Sequence, residues 1–101
     1  MAIYALKFLD CVQPQLAAIG KRDRERILQR LRRLAQDPWG PGTAPLTGDL
    51  KGRRRLRVGD HRIVYTVRQD ELVVLVVTVG HRKHVYEEAR KKGRPRGETG
   101  S

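Results

Sequence analysis

The chain has 101 residues, 39% of them hydrophobic, and its 22 Lys+Arg against 11 Asp+Glu give a formal charge of +11. That length holds one domain around one modest core and excludes two ordinary ones. The charge opposes self-association and asks for a polyanionic partner, whether nucleic acid, an anionic membrane or an acidic protein. Cys11 is the only cysteine, so no intrachain disulfide can form. The longest apolar run, "LVVLVV" at 72–77, is far below spanning length. Together with an N-terminus that lacks a basic leader and long apolar stretch, these features predict a soluble cytoplasmic protein.

"AIYALKFL" at 2–9 reads as a first, buried strand, its apolar positions being nearly continuous. "VQPQLAAI" at 12–19 suits a short helix, with Pro14 in the first turn and Gly20 just past the end. In "DRERILQRLRRLAQDP", residues 23–38, Ile27, Leu28, Leu31, Leu34 and Ala35 form one apolar stripe at helical spacing. Asp23 is the expected N-cap and Pro38 the stop. Arg24, Arg26, Arg30, Arg32 and Arg33 on the rest of that helix read as a solvated face. Residues 39–52, "WGPGTAPLTGDLKG", hold four glycines and two prolines and read as a loop.

Three strand-like runs follow. "RRRLRV" and "HRIVYTV" flank the two-residue turn signal Gly59-Asp60, and "LVVLVVTV" is apolar on both faces, as a covered central strand would be. The order strand, two-helix hairpin, three-stranded meander predicts an α+β domain: a small antiparallel sheet with the helices packed on one face. The domain is expected to span residues 1–89, with 90–101, "RKKGRPRGETGS", as a basic disordered tail.

With Gly59 and Asp60 as the turn, Val58 falls opposite His61, Arg57 opposite Arg62, Arg55 opposite Val64 and Arg53 opposite Thr66. Strand alternation then gathers Arg53, Arg55, Arg57 and Arg62 on one face. Leu56, Val58, Ile63, Tyr65 and Val67 take the other, together with Arg54. Directly opposed like charges are destabilising, so the row expects an anion. Arginine suits phosphate because its planar fork donates bidentately and keeps its charge. A single arginine on a strand is more simply a solubility device; four on one face of so basic a chain are not.

After the last strand comes "VGHRKHVYEEA". His81 is of the type that exchanges protons near neutral pH, Arg82 could stabilise charge on a phosphoryl group, and Tyr86 could stack on a base or donate a proton. The plainer readings are a capping or surface histidine and a core tyrosine, and His84 has still less to mark it. Three histidines, one cysteine and scattered acids give no metal-ligand spacing, and no phosphate-loop, dinucleotide or nucleophile motif is present.

The stretch "PLTGDLKGRRRLRVGDHRIVYTV" followed by "VVTVGHRKHVY" resembles the RelE branch of the RelE/ParE toxins of bacterial type II toxin-antitoxin systems, over about residues 2–88. The resemblance implies a ribosome-dependent mRNA interferase that needs no metal or other cofactor, with the ribosome and A-site mRNA as partners and a cognate antitoxin that suppresses it. In such a reaction the ribose 2′-OH attacks the adjacent phosphate and the 5′-oxygen leaves. The motif positions it implies as catalytic are Arg53, Arg55, Arg62, Arg82 and Tyr86; Lys51 and Arg57 join Arg53, Arg55, Arg62 and Arg82 in binding phosphate. The family's best-known members carry lysines where Arg53 and Arg55 stand, and arginine is a very poor base. His81 is therefore the candidate proton acceptor. Two alternatives stay open: a ParE-type inhibitor of DNA gyrase with the same fold, and a basic RNA- or ribosome-binding module without activity.

Overall fold

A computed structural model describes residues 3–91, apart from the side chains of residues 82–84. The elements are β1 (Ala5–Phe8), α1 (Val12–Ala17), α2 (Lys21–Gln36), β2 (Thr43–Pro45), β3 (Arg54–Val58), β4 (His61–Arg68), β5 (Val73–His81) and α3 (Arg82–Lys91), with a 3-10 turn at Gly48–Leu50. Among the described residues no helix is long and apolar enough to cross a membrane.

The five strands lie in the order β1-β5-β4-β3-β2. The meander β3-β4-β5 is antiparallel as expected, but the sheet is mixed, because β1 runs parallel to β5 with Ala5 beside Val73 and Phe8 beside Val76. A parallel neighbour needs a long crossover, and the connection from β1 carries the α1–α2 hairpin. The segment expected to be all loop supplies the edge strand β2, with Thr43 opposite Leu56 and Pro45 opposite Arg54. Pro45 is tolerated there because an edge strand needs ladder hydrogen bonds on one side only.

Two helix details also differ from expectation. The N-cap of α2 is Gly20, in extended backbone, and Asp23 lies inside the first turn. A carboxylate there still faces the positive end of the helix dipole, and it also meets Arg26 at 3.7 Å. At the other end of the chain, α3 includes Arg90 and Lys91, so helix continues past residue 89. The remainder of the expected tail, residues 92–101, lies outside the described residues.

The main core lies between the helix pair and one face of the sheet. Ile27, Leu31 and Leu34 of α2 and Val12 of α1 pack on Leu56, Val58, Ile63, Tyr65, Val74, Val76 and Val79. The Tyr65 hydroxyl donates to the Pro38 carbonyl at 2.6 Å and accepts from Arg54 Nε at 3.3 Å, while the Arg54 guanidinium also donates to Thr43 Oγ1 at 3.0 Å. Arg54 is thus a structural clasp between β2, β3 and β4. A second, smaller cluster sits on the opposite face, where Val85 and Ala89 of α3 cover Leu50, Val64 and Val77 with Tyr86 half-buried beside them.

One irregularity joins the two clusters. Val64 pairs with Thr78 but Tyr65 pairs with Val76, so Val77 is an extra residue in β5. Such a bulge shifts side-chain alternation by one beyond it. Gln15 of α1 holds the site, taking the Val79 N–H at 2.8 Å and donating to Thr78 Oγ1 at 2.9 Å. The Cys11 thiol donates to the Val77 carbonyl at 3.3 Å.

Candidate nucleic-acid interface

The hairpin forms in the expected register: Val58 opposite His61, Arg57 opposite Arg62, Arg55 opposite Val64. Gly59 takes the positive φ of +59° that the first residue of a II′ turn requires. Arg55, Arg57 and Arg62 accordingly share one face, and Arg53 lies just before the first residue of β3. Among the described residues none of Arg55, Arg57 and Arg62 forms a salt bridge. Arg62 instead folds back on the turn, donating to the Gly59 carbonyl at 3.0 Å and the His61 carbonyl at 3.2 Å. Neutral carbonyls are weaker acceptors for a guanidinium than an oxyanion, so an incoming phosphate can displace them. Lys51 is exposed on the connection from the 3-10 turn to β3.

α3 crosses the same face. Gly80 pairs with Arg62, and a Cβ on Gly80 would stand 3.5 Å from the Val85 Cβ, so the helix lies against the strand at this point. Tyr86 follows Val85 and packs against the small cluster that includes Val64, the cross-strand neighbour of Arg55. The ion pair of Arg90 with Asp49, 3.6 Å long, ties the far end of α3 to the 3-10 turn. Tyr86 and the arginine row therefore share a surface. Arg82 opens α3, but its side chain and that of His84 lie outside the described residues.

His81 goes elsewhere. It pairs with His61, and the two rings meet edge to face with centroids 5.3 Å apart. Alternation puts this pair on the face opposite Arg62 and Gly80. The expected partnership of His81 with the arginines is not assembled, and the bulge is the cause. Carrying the pairing of Arg68 with Val73 along β5 without the extra Val77 would have set His81 on the arginine face. His61, which sequence reasoning placed at the turn without a role, is the residue that His81 meets. Nothing in the run "VLVVTV" signals a bulge.

The model of the family described as "ParE toxin of type II toxin-antitoxin system, parDE" matches residues 4–86. The chain belongs to this family. It is thus a toxin of the RelE/ParE superfamily. Among solved structures it is similar to an E. coli RelE toxin mutant in the free state, at 26% identity and a TM-score of 0.73, over 88% of this chain and 96% of that one. The RelE of an archaeal RelE–RelB complex from Pyrococcus horikoshii is also 26% identical, with a TM-score of 0.67 over 80% of this chain and 97% of that one. A chain of the RelBE2 toxin-antitoxin complex of Mycobacterium tuberculosis shares the fold at 22% identity and a TM-score of 0.73, over 80% of this chain and all of its own. No curated sequence matches at a significant level.

Proposed function

We propose that this toxin is an mRNA interferase acting on message in the ribosomal A site, with the arginine face as its phosphate site. The observation that carries the reading is the row Arg55, Arg57 and Arg62, free of salt bridges among the described residues and bordered by Tyr86. In the proposed reaction the 2′-hydroxyl gives up its proton to a solvent water as its oxygen forms a bond to phosphorus, the bond to the 5′-oxygen breaks, and a proton is delivered to that leaving oxygen. Arg62 swings from its turn carbonyls to the phosphate, where a guanidinium stabilises the charge that accumulates on the equatorial oxygens. Arg53 and Arg55 add charge at β3 and Arg82 adds it from the start of α3, Arg57 and Lys51 hold flanking phosphates, and Tyr86 stacks on a base or protonates the leaving oxygen.

Because His81 faces His61, we do not give it the role of proton acceptor. Cleavage would rest on positioning the 2′-OH in line with the phosphate and on electrostatic stabilisation. An acidic antitoxin segment laid over the arginine row would block the same phosphates. The similarity to RelE chains solved with RelB supports such a partner.

A second reading is a ParE-type poison of DNA gyrase. The family match and the absence of His81 from the row favour it. Primer-extension mapping of a translated message, run beside a gyrase supercoiling assay, separates the two. Breaks within codons and unaffected supercoiling support the interferase; intact message and blocked supercoiling support the gyrase poison.

A further inference from the structure

Three of the α2 arginines that read in sequence as a solvated face, Arg26, Arg30 and Arg33, form an ordered set with Arg22. Arg22, Arg26, Arg30 and Arg33 recur at spacings of four, four and three, which aligns them along one flank of the helix. The flank is the one toward the β3–β4 hairpin. Arg26 Nη1 would lie 3.8 Å from a Cβ on Gly59, the residue whose carbonyl Arg62 holds from the other side. Arg30 donates to the Pro41 carbonyl at 2.9 Å, and with Arg33 it lines a cleft of about 300 Å³ bounded by Asp37, Gly40, Thr43 and Leu56.

Asp23, Glu25 and Asp37 lie along or beside this flank and leave its four arginines in excess. Asp23 meets Arg26 at 3.7 Å in a pair whose members are about half exposed, and the Asp37 carboxylate accepts the Trp39 N–H at 3.2 Å. Basic side chains thus run from Arg55, Arg57 and Arg62 on one face of the sheet, past the hairpin tip at Gly59, and along α2 on the other side.

We propose that the Arg22–Arg33 flank of α2 is a second RNA-backbone contact, which takes a strand continuing past the hairpin tip from the arginine row. The proposal rests on RNA being the ligand of that row. The eleven residue steps from Arg22 to Arg33 span about 17 Å, enough for several consecutive phosphates. Arginine forks spaced along a helix suit a run of phosphates and carry no base readout, so the contact adds affinity and register without sequence preference.

The test is a fluorescence-anisotropy titration of the full chain at several salt concentrations. It uses 2′-O-methyl RNA, which lacks the attacking hydroxyl, in two lengths: one that fits the sheet row alone and one long enough to pass the hairpin tip. Arg22→Gln/Arg26→Gln/Arg33→Gln should weaken the long probe and lower its salt slope by about 2, at roughly 0.7 for each phosphate no longer neutralised. The short probe should bind as before, and the corresponding triple lysine variant should restore the long-probe slope. Arg30 is left in place because it holds the Pro41 carbonyl; should the triple variant fail to fold, Arg22→Gln alone should lower the slope by about 0.7. An unchanged long-probe slope overturns the proposal, as does a variant that loses only binding to an acidic peptide, which would make the flank a protein-docking surface. Cleavage is not read in this assay, so a toxin that binds as described yet cuts no message refutes the interferase reading alone.

Discussion

Toward α1 and α2, strands β3 and β4 present Leu56, Val58, Ile63 and Tyr65, all buried; toward α3 the same strands present Arg55, Arg57 and Arg62. The first face exchanges water for close packing and holds the domain together. The second gathers like charge on adjacent strands, which opposes folding and, in the proposed function, serves phosphate binding. One hairpin thus bears both tasks, with the division made residue by residue through strand alternation. Substitutions on the two faces should therefore fail in different ways: those on the helix-pair face by unfolding, those on the arginine face with the fold intact.

The largest stability effect should come from the packed face. Ile63→Ala is expected to cost about 2–5 kcal/mol in denaturant unfolding, with toxicity lost along with the fold. Tyr65→Phe tests the polar clasp within that face: it removes the donor to Pro38 and the acceptor for Arg54, a loss of about 1–3 kcal/mol by the same measurement. On the other face the sign should reverse. Arg57→Gln relieves its opposition to Arg62 and should leave stability unchanged or raised by up to about 1 kcal/mol, while RNA affinity falls. The smallest effect is expected at His81. His81→Ala should leave message cleavage nearly intact in primer extension, and a loss as large as that of Arg62→Ala would bring this side chain back to the reacting phosphate.

How far the sequence alone reaches differs between these regions. The register of β3 with β4 follows from Gly59-Asp60 and a period of two, so the positions of Arg55, Arg57 and Arg62 were legible. The stripe of α2 was legible for the same reason, a period of 3.6 with an apolar side. β2 was hidden because Gly and Pro in 39–52 announce turns, and its three paired residues depend on β3 being there to receive them. The place of His81 was hidden by one extra residue in an all-apolar run, where either parity reads as buried. Gln15 and Cys11, which hold that bulge, carry no signal of their own, since their partners are distant in sequence.

The claim that the arginine face acts on message is tested most directly at Arg62. Wild type, Arg62→Ala and Arg62→Lys should be induced without antitoxin, with breaks in a translated message mapped by primer extension and each purified protein checked by thermal unfolding. The account predicts that Arg62→Ala unfolds no earlier than wild type yet leaves the message uncut, and that Arg62→Lys, which keeps the charge but loses the fork, cuts weakly. Full cleavage by a folded Arg62→Ala protein would contradict it.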